Sequence, residues 1–120
     1  MNEPETNNKT LPPEVKLMIY VLLKNGMWPV NETTYTKGKS MDDPIVIDIE
    51  GVYVRAEYLV AGFLLHPKKN KFTLQSLFNK GDRHYDELTY EVTEEDGTVH
   101  MEHFFFDITV GYNALSRSKP

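Results

Sequence analysis

The stretch DELTYEVTEEDGTVHMEHFFFDITV, residues 86 to 110, constrains the fold more than any other part of the chain. Two β-prone runs flank Asp96-Gly97, and Asp-Gly is a favoured pair for a two-residue type I′ turn. The pattern predicts an antiparallel hairpin. Counting outward from that turn sets Val92 opposite Met101, Tyr90 opposite His103 and Leu88 opposite Phe105 on one face. On the other face Thr93 meets His100, Glu91 meets Glu102, Thr89 meets Phe104 and Glu87 meets Phe106, with Ile108 and Val110 beyond. Side chains alternate along a strand, so a slip of one residue would exchange these faces.

The first face is apolar and belongs on a core. The second is polar near the turn and turns apolar at Phe104, Phe106 and Ile108. Burying a Phe or Ile side chain is worth roughly 1.5–3 kcal/mol, and monomers rarely leave more than a few hundred Å² of contiguous apolar surface in water. A cover is therefore expected, from the segment around Trp28, from a curled part of the sheet or from a second molecule. The sequence reading favours a two-fold homodimer through Phe104, Phe106 and Ile108, bordered by Leu17 and Val21, the commonest symmetry for such a patch.

One segment reads as a helix, TLPPEVKLMIYVLLKNG. Prolines suit its first turn, and Gly26 can close it in a left-handed conformation. Val15, Met18, Ile19, Leu22 and Leu23 make one apolar stripe, with Leu17 and Val21 as a smaller pair on the opposite side. Residues 27–44 read as a polar loop. IVIDIEGVYVRAE alternates around Glu50-Gly51 and predicts a second hairpin. YLVAGFLL, 58–65, continues that strand or forms a short buried helix, with strand preferred. FTLQSLF, 72–78, is a further strand, and NKGDRHYD a loop.

These elements predict an α+β domain over residues 11–115, with disordered tails at 1–10 and 116–120. A helix at 13–25 packs on a curved, mainly antiparallel meander of four to five strands near 45–49, 52–60, 71–78, 86–95 and 98–110.

Composition narrows the chemistry. With 18 acidic and 13 basic residues the formal charge is −5, which disfavours nucleic-acid binding through phosphates. The absence of cysteine excludes disulfides, thiolate metal sites and a cysteine nucleophile. No apolar run approaches the roughly 20 residues needed to cross a bilayer, and the polar N-terminus lacks a secretory pattern, so a cytoplasmic protein is expected. Neither a nucleophile elbow, nor HExxH, nor a glycine-rich phosphate loop occurs. His100 with Glu91 and Glu102 makes a weak candidate divalent site, and Asp82, Arg83, His84 and Asp86 a candidate polar loop site. No cofactor is implied. The reading is a non-enzymatic interaction module of inhibitor, immunity, chaperone or adaptor type; the alternative is a binder or enzyme for a small apolar molecule, using a pocket between sheet and helix.

Overall fold

The computed structural model describes residues 11–117, so the expected tail at 1–10 and residues 118–120 lie outside it. Among the described residues three α-helices and four strands follow in the order α1 (Pro13–Lys24), β1 (Ile45–Val46), α2 (Tyr53–Leu65), β2 (Lys69–Lys80), β3 (Arg83–Thr93), β4 (Val99–Asp107) and α3 (Thr109–Arg117), with one 3-10 turn at Thr34–Thr36 before β1. The fold is α+β with a mixed sheet in the order β1-β4-β3-β2. β2, β3 and β4 are antiparallel neighbours, whereas β1 runs parallel to β4, Ile45 beside Phe106. Ser116 and Arg117, expected in a tail, close α3.

α1 ends as its sequence requires. Gly26 has φ +68°, the Gly26 N–H donates to Leu23 O, and the Met27 N–H donates to Leu22 O at 2.8 Å. This pair of bonds is a Schellman closure, which satisfies carbonyls the last turn leaves unpaired. The buried side takes residues from both expected groups: Leu22 of the stripe and Val21 of the opposite pair are buried, Met18 and Leu17 are half-buried against the core, and Leu23 is exposed.

The second hairpin does not form. Beyond the two residues of β1 the chain loops, Val52 takes φ +48°, and α2 begins. Its buried residues Ala56, Glu57, Val60, Ala61, Leu64 and Leu65 repeat at helical spacing, and burying that stripe outweighs the β preference of Val52 and Val54. The meander is thereby broken, with α2 standing where the strand near 52–60 was expected.

The β3–β4 hairpin forms, but one residue out of the expected register. The Glu94 N–H donates to Thr98 O at 2.8 Å, the Gly97 N–H donates to Glu94 O at 2.9 Å, and Gly97 has φ +90°. That is a three-residue loop, a type I turn closed by a left-handed glycine, instead of the two-residue turn. An odd loop shifts the pairing by one: Leu88 faces Phe104, Tyr90 faces Glu102 and Val92 faces His100. The faces are exchanged. Phe104 and Phe106 now lie on the same side as Leu88, Tyr90 and Val92, fully buried, and Ile108 joins them. Only Phe105, half-buried, points to the other side.

One core results. α1 and α2 contribute residues such as Val21, Leu22, Val60 and Leu65, the sheet contributes among others Ile45, Leu88, Phe104 and Phe106, and Met27 and Ile47 join them from the connecting segments. Trp28, an expected cover, is exposed with its ring near Phe63, and its neighbour Met27 takes the buried place.

Candidate functional site

The two edges of the sheet are treated differently by the sequence. β1 is two residues long, and the Asn25 side chain closes its outer edge: Asn25 Oδ1 accepts from the Val46 N–H at 2.7 Å, and Asn25 Nδ2 donates to Val46 O at 2.9 Å. The side-chain amide thus acts as the next strand would. At the other end β2 is twelve residues long, about 40 Å of open edge. Of its residues only Ser76 is even half-buried.

Four large apolar side chains stand on this edge: Phe72, 41 % exposed, Leu74, 57 %, Leu77, 47 %, and Phe78, 38 %. The register puts Leu74, Ser76 and Phe78 on the sheet face away from the core, in line with Thr89, Glu87 and Tyr85, and puts Phe72 and Leu77 on the helix side. The pairing shifts between Phe72 and Leu74, a bulge at Thr73, whose hydroxyl donates to Thr89 O at 3.0 Å. Lysines 69, 71 and 80 sit near the ends, and the segment Leu74-Gln75-Ser76-Leu77-Phe78 between them carries no charge and no proline. Long uncharged β-prone edges of this kind pair with other strands unless something blocks them.

A second feature lies inside. Glu57 of α2 is fully buried and Asp86 of β3 is 2 % exposed. Both Glu57 carboxyl oxygens and Asp86 Oδ1 lack a protein hydrogen-bond partner. Burial first, then the adjoining Asp86 carboxyl, push the Glu57 carboxyl up to about 10. Tyr53 and Tyr58 flank it, and burial with these carboxylates raises both phenols above their usual range. Burial and the neighbouring Tyr58 and Glu57 push the Tyr90 phenol up to about 12. Nothing in the sequence around Glu57 marks it, because a strand through that segment would leave it an ordinary surface acid.

The expected interface residues Phe104, Phe106, Ile108 and Val21 are core residues covered from within the chain. The register supplies the cover that a second copy was expected to give. Leu17 alone keeps some surface, lining an open groove of about 410 Å³ with Pro13, Glu14, Val52 and Arg55, across which Glu14 and Arg55 form an ion pair. The space expected between sheet and helix is filled by the buried cluster of Val60, Leu64, Leu88 and Phe104.

The candidate metal set is divided by the register. Glu91 pairs with Met101 and points away from the core side, while His100 and Glu102 share the other face. His100 Nε2 lies 2.6 Å from Glu94 and its Nδ1 3.5 Å from Glu102, with Lys68 on Glu94 at 3.1 Å and Lys39 on Glu102 at 2.7 Å. Two lysines already neutralise the acids, and among the described residues no group of three or more ligands could hold a metal ion. His103, expected beside Tyr90 in the core, is exposed on the open face, 2.7 Å from Glu87.

The polar loop is likewise dispersed. Asp82 stays exposed in the tight Gly81-Asp82 turn between β2 and β3. Arg83 donates to Asp107 at 2.6 and 3.2 Å, and the His84 ring stacks on Tyr112 with centroids 3.9 Å apart. Asp86 faces Glu57 in the interior.

No described helix is long and apolar enough to cross a membrane. No protein-family model, curated protein or solved structure matches this chain.

Proposed function

We propose that this chain is a protein-interaction module that works by accepting a partner's strand along β2. The observation that carries this reading is the asymmetry of the sheet: one edge is short and closed by Asn25, the other is twelve residues long, open and apolar at its centre. Strand addition gives affinity through main-chain hydrogen bonds and specificity through alternate side chains. Here the alternate sets are Leu74 and Phe78 on the open face, and Leu77 on the helix side. The lysines at both ends of β2 oppose indiscriminate pairing and favour a partner strand with acidic flanks.

A second copy of this chain is one such partner. Antiparallel pairing about a two-fold axis at Ser76 sets Leu74 of each copy opposite Phe78 of the other, apolar against apolar on the open face. A chain without cysteine and with net negative charge suits the reducing cytoplasm, where we place it.

The test is affinity capture from the source cells with wild type and with Leu74→Lys/Phe78→Lys, which stays folded because both side chains are already partly in water. Wild type retains a stoichiometric polypeptide, its own copy or another, and the double variant loses it. Equal retention by both proteins would refute the surface.

A further inference from the structure

The interior holds a pair of acids with no counter-ion. Glu57 stands on the second turn of α2 and Asp86 on β3, beside Phe106 in the sheet, so the pair joins helix to sheet. None of the described lysine, arginine or histidine side chains forms an ion pair with either acid. On α2 the neighbouring titratable groups are Tyr53 and Tyr58, and on β3 they are Tyr90 and His84. α3 contributes Tyr112, which acts on Tyr53 and stacks on the His84 ring. The tyrosines bring no positive charge, and the His84 ring is engaged by Asn79 and Tyr112 instead of either acid.

Two carboxylates are acceptors only, so neither can satisfy the other, and the three orphaned oxygens are what two bare carboxylates must show. One proton changes this. Glu57 then donates an O–H to Asp86, and only one negative charge remains to be buried. We propose that Glu57 and Asp86 form a proton-binding site, and that a single proton held between them at neutral pH docks α2 on the sheet.

The sign follows from where the proton is held. In the unfolded chain Glu57 ionises near its ordinary value, whereas in the folded chain it keeps its proton up to about 10. Folding therefore binds a proton between these limits. Stability conferred by the site is complete below about 4.5 and falls as pH rises toward 10, by up to about tenfold in the folding constant per pH unit. Above that range the pair is two bare carboxylates in an apolar interface, and α2 loses its hold on β3.

Two measurements test this. Denaturant titrations of wild type and Glu57→Gln at pH 5.5, 7 and 8.5 compare their slopes, so that the histidines common to both cancel. Glutamine donates to Asp86 at every pH. The variant's folding constant is expected to gain on wild type by about a thousandfold between pH 5.5 and 8.5, three units at tenfold each. The same slope in both proteins would overturn the proposal. Carbon NMR of the Glu57 carboxyl in wild type, which needs no variant to fold, should show it unmoved from pH 3 to 8. A midpoint near 4, with the ordinary glutamates, would overturn the proposal as well.

Discussion

Alanine replacement of the three consecutive phenylalanines discriminates the two possible faces of β4. Phe104 is fully buried, with its ring edge-on to Tyr90 at 5.9 Å and Lys39 Nζ 4.8 Å from its centroid. Removing a buried phenylalanine costs about 3–5 kcal/mol, and the lost aromatic contact places Phe104→Ala in the upper part of that range. Phe106→Ala should cost a similar amount. Phe105 sits half-buried on the opposite face, so its loss forfeits part of the roughly 1.5–3 kcal/mol of full burial, about 1 kcal/mol. The gap between neighbours is then about 3 kcal/mol, which for a domain near 100 residues is a difference of more than about 10 °C in Tm. Urea unfolding followed by circular dichroism reads it directly, provided the dependence on denaturant is unchanged. A Phe105→Ala variant as damaging as Phe104→Ala would refute the register, and with it the account of why no second copy is needed to cover Phe104 and Phe106.

Asn25→Ala removes the side chain that closes the β1 edge and should cost about 1–2 kcal/mol, with faster amide exchange at Val46; unchanged exchange there would show that Asn25 does not act as a strand. Burial pushes the Asp107 carboxyl up, but Arg83 and Thr109 together outweigh it and hold Asp107 below its ordinary value. That stability is present above about 4 and lost as pH falls, opposite in sense to Glu57, so the fold should be most stable near pH 5. Asp107→Asn should flatten the acid limb of a stability-against-pH curve, and an acid limb identical to wild type would contradict the assignment.

The parts of the fold written in local signals could be read directly from the chain. The prolines and Gly26 bracket α1, and the runs flanking Asp96-Gly97 pair as β3 and β4. What failed was counting. Asp96-Gly97 serves a two-residue turn and a three-residue loop with a left-handed glycine equally well, and only the second reverses the faces of Phe104 and Phe106. The identity of α2 was hidden because Ile45, Ile47 and Ile49 alternate into Val52 and Val54, and because Glu57 interrupts an otherwise clear helical stripe of Ala56, Val60, Ala61, Leu64 and Leu65. The same glutamate is the most unusual side chain of the molecule, and its partner Asp86 lies 29 residues away on another element, beyond any local pattern. The open edge was half legible. The apolar run 72–78 reads as a strand from its residues alone, but its place at the end of the sheet follows from β1 joining β4 across the chain, which no local motif announces.

Site-specific photocrosslinking in the source cells tests the central claim most directly. A photoreactive residue at Ser76, at the middle of the β2 edge, is compared with one at Thr98, in the exposed loop between β3 and β4. Strand addition at β2 predicts a discrete adduct with one polypeptide from position 76, its own copy or another, lost in the Leu74→Lys/Phe78→Lys background, with no matching adduct from position 98. Equal labelling from both positions, or none from position 76, would contradict the claim.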